Sequence, residues 1–422
     1  MVCSSRHLWL TIHLRKEEIN QYRFILPGFV VPSSAMKVST EELLHILEGF
    51  AGESIALRHE LHRHPEIALG ETQTRSRLLT WLDQRGVLSR ARISDSLIGT
   101  DLVFELPGEI DQTVGLRADM DGLPVDEQTG CRYVSQVPGM MHACGHDGHM
   151  AILALTALLV SRIDPRLRPT VRFIFQPGEE EVCAGADLVA AGVCDGLDRV
   201  YALHGWPGLP AGSIGIKEGV LTAAAHTFDI ILEGRSCHGA TPSEGLNPLP
   251  AAADMVLRLN ELHRDMQLRH RAVVSPCGIQ GGASTNVIPQ SVRIRGTVRT
   301  TKEHVGDEIR SAVHRTLDEV DQRWGTVSTI TYHQRYRLPV RNHPRESARA
   351  AAAAEAAVGK DRLVMLESHS MVAEDFAFYL DRVPGYMLLL GLGEDHPGLH
   401  SSSFDFDDRQ IIPGALVLSL LI

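Results

Sequence analysis

Apolar residues recur at two different spacings along the chain, and the spacing predicts which segments form helices and which form strands. At residues 40–64 and 74–87 they recur every three or four positions, as on one face of a helix. Short apolar runs typical of buried strands are found at residues 113–118, 170–175 and 199–204. Two mostly apolar helices are predicted between these strands, at residues 150–163 and 185–193. Strands that alternate with helices indicate a mainly parallel sheet with helices on both faces.

The pattern changes after residue 222 and changes back after residue 337. Residues 223–337 predict the order strand, helix, strand, strand, helix, strand, which is typical of a compact ferredoxin-like α+β domain. We therefore predict that this segment is inserted into a larger α/β domain, which it divides into residues 38–222 and 338–422. Residues 1–37 are expected to be an extension that is untranslated or lacks fixed structure, with Met36 as an alternative start.

Composition excludes several classes of protein. Apolar residues make up 44% of the chain and charged residues 22%, as in an ordinary globular protein. The net charge is −11 and the basic residues are scattered, which argues against nucleic acid as a partner. Since no apolar run approaches the roughly 20 residues of a membrane span, no membrane partner is expected either. Seven cysteines without regular spacing favour a reducing compartment, so we expect a cytoplasmic protein.

Side chains with metal-binding chemistry close the three predicted strands or follow them within a few residues. In chain order these are Asp119, the pair Glu179 and Glu180, and His204. Because the carboxyl ends of parallel strands meet at one edge of a sheet, we expect these side chains to lie close together. Three further candidates lie in loops of the same domain, namely Cys144, His146 and His400.

The mixture of donor types indicates a metal site. A pair of glutamates is ordinarily exposed, and a cysteine is ordinarily a small buried apolar residue, so neither requires a metal on its own. Together, thiolate, imidazole and carboxylate suit zinc, and a carboxylate-rich site also suits manganese. Consecutive side chains point in different directions, so Glu180 can bind metal while Glu179 stays available. A carboxylate beside a water activated by metal is the general base of hydrolysis.

Several longer segments are similar to a known family. They include RHELHRHPE, GLRADMDGLPVDEQTG, MHACGHDGHMA, FIFQPGEE, AEDFAFYL and LHSSSFDFDD, and they run in order between about residues 55 and 412. In these segments the chain resembles the aminoacylase/carboxypeptidase metallopeptidase family, in its amidohydrolase branch of hippurate and indole-acetyl-amino-acid hydrolases. The resemblance implies a catalytic domain of the zinc-exopeptidase kind, with residues 223–337 as a lid and dimerisation domain.

The resemblance also implies roles for single residues. The metal ligands are expected to be Cys144, with its thiolate bridging, His146, Glu180, His204 and His400. Glu179 is expected to be the base, and His238, in the lid segment SCHGATP, to stabilise the oxyanion. Asn286 and Arg299 would bind the substrate carboxylate, although a surface charge on a strand is an equally good interpretation of Arg299. Two residues are expected to orient ligand imidazoles, Asp119 and Glu374.

The expected function is hydrolysis of the amide bond of an N-acyl amino acid of the hippurate, N-acetyl or indole-acetyl type. Each subunit of a homodimer would use two divalent ions, zinc or manganese, with cobalt or nickel as alternatives. A dipeptidase or carboxypeptidase is the alternative, and it would need a group for a free α-amine, which the sequence does not identify. A non-catalytic binding protein would not need Glu179. A thiol enzyme built on Cys144 would leave Glu180 and His400 unexplained.

Overall fold

The computed structural model describes residues 38–336 and 338–422, so the extension predicted at residues 1–37 lies outside the described residues. The helices are α1 Thr40–Gly49, α2 Ala51–Arg63, α3 Thr72–Gln84, α4 His146–Arg162, α5 Glu179–Val182, α6 Gly185–Ala190, α7 Leu249–His270, α8 Glu303–Trp324, α9 Pro344–Val358, α10 Ala377–Arg382 and α11 Ile411–Leu420. The strands are β1 Arg92–Ile93, β2 Leu102–Leu106, β3 Ile110–Asp119, β4 Pro169–Gln176, β5 Arg199–Pro207, β6 Ile214–Ile216, β7 Gly219–Val220, β8 Ala224–Glu233, β9 Cys237–His238, β10 Val273–Gln280, β11 Val287–Ile288, β12 Ser291–Thr300, β13 Val327–Tyr336, β14 Arg341–Asn342, β15 Leu363–Met365 and β16 Gly385–Gly393.

A large mixed sheet has the strand order β1-β2-β4-β3-β5-β16-β6-β15. The four strands at its centre, β4, β3, β5 and β16, are parallel to one another. β2 lies antiparallel to β4, and β6 lies antiparallel to β16. The predicted α/β class, a mainly parallel mixed sheet flanked by helices, is therefore confirmed.

Both faces of this sheet are buried. In β4, Phe173 and Phe175 point into the core that includes α4, whereas Ile174 between them points into a second core. Side chains on a strand alternate between faces, so a strand covered on both sides is apolar throughout. α4 is buried along nearly its whole length and packs against α2, α11 and β3. Its mostly apolar sequence from Met150 to Val160 follows from this position.

A second, four-stranded antiparallel sheet has the order β10-β12-β8-β13. α7 and α8 pack on it around a separate core that includes Phe228, Met255 and Ile309. The succession of elements is the predicted ferredoxin-like one, with the short strands β9 and β11 added. The boundaries of the insertion at residues 222 and 338 stay predictions.

Local details differ from the predicted elements. The first helical segment is broken at Phe50, which has φ −113° and ψ 7° and separates α1 from α2. β5 continues to Pro207, so His204 lies inside the strand instead of ending it. The strand continues because β16 runs alongside it and supplies hydrogen-bond partners as far as Gly393. Among the described helices, none combines the length and the apolar character that a membrane span requires.

A buried arginine ties three separated parts of the chain together. Arg58, in α2, is fully buried, and its Nη1 lies 3.1 Å from Asp147 and 3.0 Å from Asp405. The same guanidinium forms an ion pair with Asp408. Asp147 is the second residue of α4, and the other two carboxylates follow the last strand of the large sheet. Arg58 therefore holds the start of α4 against the segment that leads to α11.

Replacing Arg58 with Met should lower the free energy of unfolding by about 3–5 kcal/mol, because the fully buried Asp147 keeps only His62 as a positive partner and Asp405 and Asp408 also lose the guanidinium. Urea denaturation followed by circular dichroism measures this loss. Arg166→Met is the matched control, since Arg166 pairs with Asp164 on the surface and its side chain is 72% exposed. Equal stability of the two variants would contradict a structural role for the buried ion pair.

Candidate metal centre

The carboxyl ends of three adjacent parallel strands carry candidate ligands. β3 ends at Asp119, and His204 lies near the end of β5. β4 leads directly into α5, whose first two residues are Glu179 and Glu180. Because β4, β3 and β5 lie side by side and point the same way, these side chains meet at one edge of the sheet.

Both helices that begin at the site are preceded by a glycine in the left-handed backbone conformation. Gly145, with φ 86°, comes before α4, and Gly178, with φ 63°, comes before α5. A Cβ atom at Gly145 would lie 3.0 Å from the ring of Phe406, and one at Gly178 would lie 2.7 Å from Val182. Only glycine combines this backbone conformation with such close packing. These two turns bring the ligand-type side chains into the cluster.

One group of candidate ligands consists of Cys144, Glu180 and His400, whose ligand atoms all lie within 4.8 Å of one another. His400 Nε2 lies 3.0 Å from Glu180 Oε1, and Cys144 Sγ lies 3.5 Å from His204 Nε2. On a tetrahedral zinc ion, ligand atoms are about 3.3–3.6 Å apart, because the metal–ligand distances are about 2.0–2.3 Å. The Cys144–His204 distance lies in this range, and the His400–Glu180 distance is shorter, so those two side chains would separate slightly on binding a divalent cation.

His146 has the environment of a metal ligand. Its Nδ1 lies 3.2 Å from Asp121 Oδ1, while its buried Nε2 has no hydrogen-bond partner among the described residues. A carboxylate on the far nitrogen is the usual way to orient a ligating imidazole. Burial alone would lower the pKa of His146, but the carboxylates of Asp119 and Asp121 outweigh it and raise the pKa to about 10. The surroundings of Nε2 therefore favour a cation at that atom.

Two neighbouring histidines differ in which ring nitrogen is available. His204 Nδ1 donates to the carbonyl of Gly205 at 2.8 Å, which leaves the lone pair on Nε2 facing Cys144. Burial, with His149 nearby, lowers the pKa of His204 to about 3, so the imidazole is neutral. His149 Nε2 instead accepts the N–H of Gly205 at 2.8 Å, and its Nδ1 donates to Asp119 at 2.7 Å. Both nitrogens of His149 are thus engaged, and it has no lone pair left for a metal.

Glu179 lies in a buried cluster of carboxylates with Glu374 and Asp375. The backbone N–H of Asp375 donates to Glu179 Oε1 at 3.3 Å. Burial, followed by repulsion from Glu374 and Glu180, raises the pKa of Glu179 well above its usual value. A carboxylate in this setting accepts a proton readily, and a nearby cation would lower the cost of keeping it ionised.

Arg117 balances part of this negative charge. Its guanidinium, fully buried in β3, lies 2.7 Å from Asp119, 3.1 Å from Glu374 and 2.8 Å from Asp375. Its Nε donates to Gln176 at 3.0 Å, so the side chain is held along its length. Arg117 therefore fixes the residues after β3 relative to the segment that carries Glu374.

A cavity of about 650 Å³ opens over the cluster. Its lining includes the candidate ligands Cys144, Glu180, His204 and His400, and also Glu179 and Glu374. Arg299, from β12 of the four-stranded sheet, lines the same cavity. Arg299 thus lies at the cavity, and its role towards a substrate stays a prediction.

The other two lid candidates are placed differently. His238 and Asn286 are both exposed and lie next to each other, since β9 pairs with β11 and Gly239 donates to the carbonyl of Asn286 at 2.7 Å. Neither residue is among the described residues that line the cavity. The fold of this chain thus brings Arg299 to the cluster and leaves the pair His238 and Asn286 apart from it.

Four residues of the site were missed in the sequence, namely Arg117, Asp121, His149 and Asp375. Asp121, two residues after Asp119, holds His146 and also accepts the N–H of Glu180 at 2.9 Å. A signal for it existed, because the segment ADMDG contains two aspartates after the same strand. Asp119 contacts His149 and Arg117, and its Oδ2 is 3.7 Å from His146 Nε2. Which of two nearby carboxylates contacts a given imidazole depends on side-chain directions that spacing does not reveal.

Known proteins resemble this chain over most of its length. An N-acetylcysteine deacetylase of Bacillus subtilis is 32% identical over 367 residues, which cover 86% of this chain and 94% of that protein. An N-acyl-L-amino acid amidohydrolase of Geobacillus stearothermophilus is 34% identical over 72% of this chain and 82% of its own length. A Bacillus subtilis crystal structure described as a dinuclear metal-binding peptidase of the M20 family superposes with a TM-score of 0.75 at 30% identity. That match covers 89% of this chain and 97% of the other.

The family assignment rests on the region that contains all the candidate metal ligands. Residues 115–422 match the family described as peptidase family M20/M25/M40, and this range includes every candidate ligand from Asp119 to His400. The resemblance to metallopeptidases of the amidohydrolase branch is confirmed by this match and by the relatives. The chain belongs to peptidase family M20/M25/M40.

Proposed function

We propose that this protein is a two-metal amidohydrolase that cleaves the amide bond of N-acyl amino acids. The observation that carries the proposal is the cavity whose lining combines thiol, imidazole and carboxylate donors with the buried Glu179. The names of relatives support this substrate class, since they include an N-acetylcysteine deacetylase and an N-acyl-L-amino acid amidohydrolase. The hippurate-like and indole-acetyl-like substrates of the same class are part of the proposal.

The metal ligands in this proposal are Cys144, His146, Glu180, His204 and His400. The chemistry of the donors suits zinc first and manganese second, with cobalt or nickel as alternatives. A second ion is supported by the name of the dinuclear structural relative and by overlapping ligand groups that share Glu180. Bound divalent ions would polarise the amide carbonyl and lower the pKa of water.

Glu179 is proposed as the general base. It lies beside Glu180 on the wall of the cavity, where its carboxylate can accept a proton from a water activated by metal. The same carboxyl group can then pass that proton to the leaving amine, so one residue serves both halves of the reaction. Its position is held by the N–H of Asp375, which in turn is held by Arg117.

Arg299 is proposed to bind the α-carboxylate of the substrate. Its planar guanidinium matches a carboxylate with two parallel hydrogen bonds, and it is positively charged at every physiological pH. A cation in the same cavity as the cluster would fix which end of the substrate lies over Glu179. Nothing among the described lining residues favours a dipeptidase, because the acidic groups there already belong to the metal and base cluster.

His238 and Asn286 are proposed to act on the site of a second subunit. They lie together on the short β9–β11 sheet, away from the cavity of their own chain, yet an imidazole donor suits an oxyanion and an amide suits a carboxylate. A homodimer formed through the lid domain would let each chain contribute these residues to its partner. Both the dimer and the exchange of residues are parts of the proposal.

Glu179→Gln should lower kcat by about a hundredfold or more, because it removes the proton acceptor and keeps the shape of the side chain. Its metal content should stay near that of the wild type. Glu180→Gln should instead lose metal, because an anionic ligand is replaced by a neutral one. Metal analysis of the purified variants, together with turnover of N-acetyl amino acids, measures both effects.

Glu181→Gln is the matched control for this pair, since Glu181 is the exposed third glutamate of α5. It should keep both metal and turnover. Loss of metal in Glu179→Gln with full activity in Glu180→Gln would reverse the two assignments.

Loading the protein with Co²⁺ should produce a near-ultraviolet thiolate-to-cobalt charge-transfer band. Burial and the carboxylates of Glu180 and Glu179 raise the pKa of the Cys144 thiol, so metal binding should also release a proton to the solvent. Cys144→Ser should remove the band, whereas Cys277→Ser, at an exposed position, should keep it. A band of unchanged intensity in Cys144→Ser would rule out this thiolate as a ligand.

His238→Ala should retain its metals and lose roughly a hundredfold or more in turnover, because one oxyanion donor is gone. Mixed with Glu179→Gln, it should regain activity, since the heterodimer has one site with both Glu179 and His238 intact. At equal mixing and full exchange, roughly a quarter of wild-type activity is expected. Differently tagged subunits show that exchange has occurred. Full exchange without recovered activity would contradict action across the dimer.

A further inference from the structure

Two apolar side chains line the mouth of the catalytic cavity. Val372 is 46% exposed although it belongs to the lining, and Met371 beside it is half-buried. A single exposed apolar residue on a surface has no particular meaning. Met371 and Val372 follow one another in the chain and line the cavity that contains the candidate metal ligands. Their side chains form an apolar wall that a ligand in the cavity would contact.

The backbone of this wall is anchored to the chain on both sides of residue 222. Ser370 N–H donates to the carbonyl of Leu221 at 2.8 Å, and Ala223 N–H donates to the carbonyl of Val372 at 3.0 Å. Val372 N–H donates to the Ser370 hydroxyl at 3.1 Å. The side chains are therefore exposed on a fixed backbone, and a ligand that covers them does not have to order a loose loop.

Hydrogen bonding and strand register place the wall close to Arg299. In the β8–β12 pairing, Arg299 lies opposite Ala225. Ala223, which holds the backbone of Val372, is two residues earlier on the same stretch of chain, a separation of about 7 Å in an extended strand. Ala223, which anchors the backbone of the wall, and Arg299 are thus neighbours.

We propose that Met371 and Val372 select N-acyl amino acids whose amino-acid half carries an apolar side chain. The inference rests on the proposed function, in which Arg299 binds the α-carboxylate. The side chain of an amino acid is bonded to the same carbon as that carboxylate, so it lies next to the wall when the carboxylate lies at Arg299. The acyl group is on the other side of the amide bond and points away from it.

The charges in the cavity favour a substrate whose amino-acid side chain is uncharged. Of the described residues that line it, Arg299 is the one cation apart from histidines, and the α-carboxylate already occupies it. An acidic side chain at the wall would find no second cation and would face Glu374, which is close in sequence to Val372 and lines the same cavity. An apolar side chain covers Met371 and Val372 and gains the free energy of removing them from water.

Two substrate series separate the halves of the substrate. The first keeps the acetyl group and lengthens a linear side chain from N-acetylglycine through alanine, 2-aminobutyrate, norvaline and norleucine. The second keeps glycine and lengthens the acyl group from acetyl to hexanoyl. In the wild type, kcat/KM should rise about fourfold for each methylene added to the side chain, until the wall is covered.

The double variant Met371→Gln/Val372→Thr keeps volume nearly constant and makes the wall polar. It should reduce the increase per methylene in the side-chain series to about twofold or less, and it should leave the slope of the acyl series as in the wild type. Val327→Thr is the matched control, because Val327 is 68% exposed at the start of β13 and is not among the described lining residues. Both of its slopes should equal those of the wild type.

A changed slope in the acyl series with an unchanged side-chain series would overturn the inference, because the wall would then contact the acyl half. A wild-type enzyme that hydrolyses the substrates without any preference for longer side chains would also overturn it, and would leave the proposed function intact. Failure of the metal-loaded wild type to hydrolyse any member of either series would overturn both.

Discussion

The site is built around more buried carboxylates than there are cations to neutralise them. Glu179, Glu374, Asp375 and Asp119 are all buried at one edge of the large sheet, and Arg117 is the guanidinium that contacts three of them. Burial raises the pKa of Glu179, Glu374 and Asp375, which means that the ionised forms are disfavoured without further positive charge. A divalent cation would relieve this repulsion, so we expect binding of metal to stabilise the fold here.

The scaffold gives this charged cluster a fixed geometry. Arg117 links the end of β3 to the segment before α10, and Arg58 links the start of α4 to the segment before α11. Cys144, His146 and His400 lie in or directly beside these segments, so the two arginines limit how far these candidate ligands can move. Metal sites and catalytic bases need such support, because small displacements change both coordination and proton transfer. The residues proposed to act on substrate are thus held by groups that do not touch it.

Much of the architecture could be predicted from local patterns. The central strands β3, β4 and β5 and helix α4 are apolar enough to identify, and parallel strands necessarily bring their carboxyl ends together. The short strands β6 and β15 were not predicted, because three residues are too few to show a periodic pattern. The break between α1 and α2 at Phe50 was not predicted although Gly49 and Gly52 flank it, since apolar residues continue at helical spacing on both sides. Pairing with distant segments decides such boundaries.

The sequence by itself determined the class of the fold and the chemistry of the site, because apolar periodicity and side-chain type are local properties. It also predicted unequal roles for Glu179 and Glu180, since neighbouring side chains diverge. Only the tertiary structure decided that His149 is engaged at both nitrogens while His146 and His204 each keep one nitrogen towards the cluster. It likewise decided that Arg299 joins the cavity while His238 does not. Hydrogen-bond partners and distances between remote segments come from packing, and no spacing along the chain encodes them.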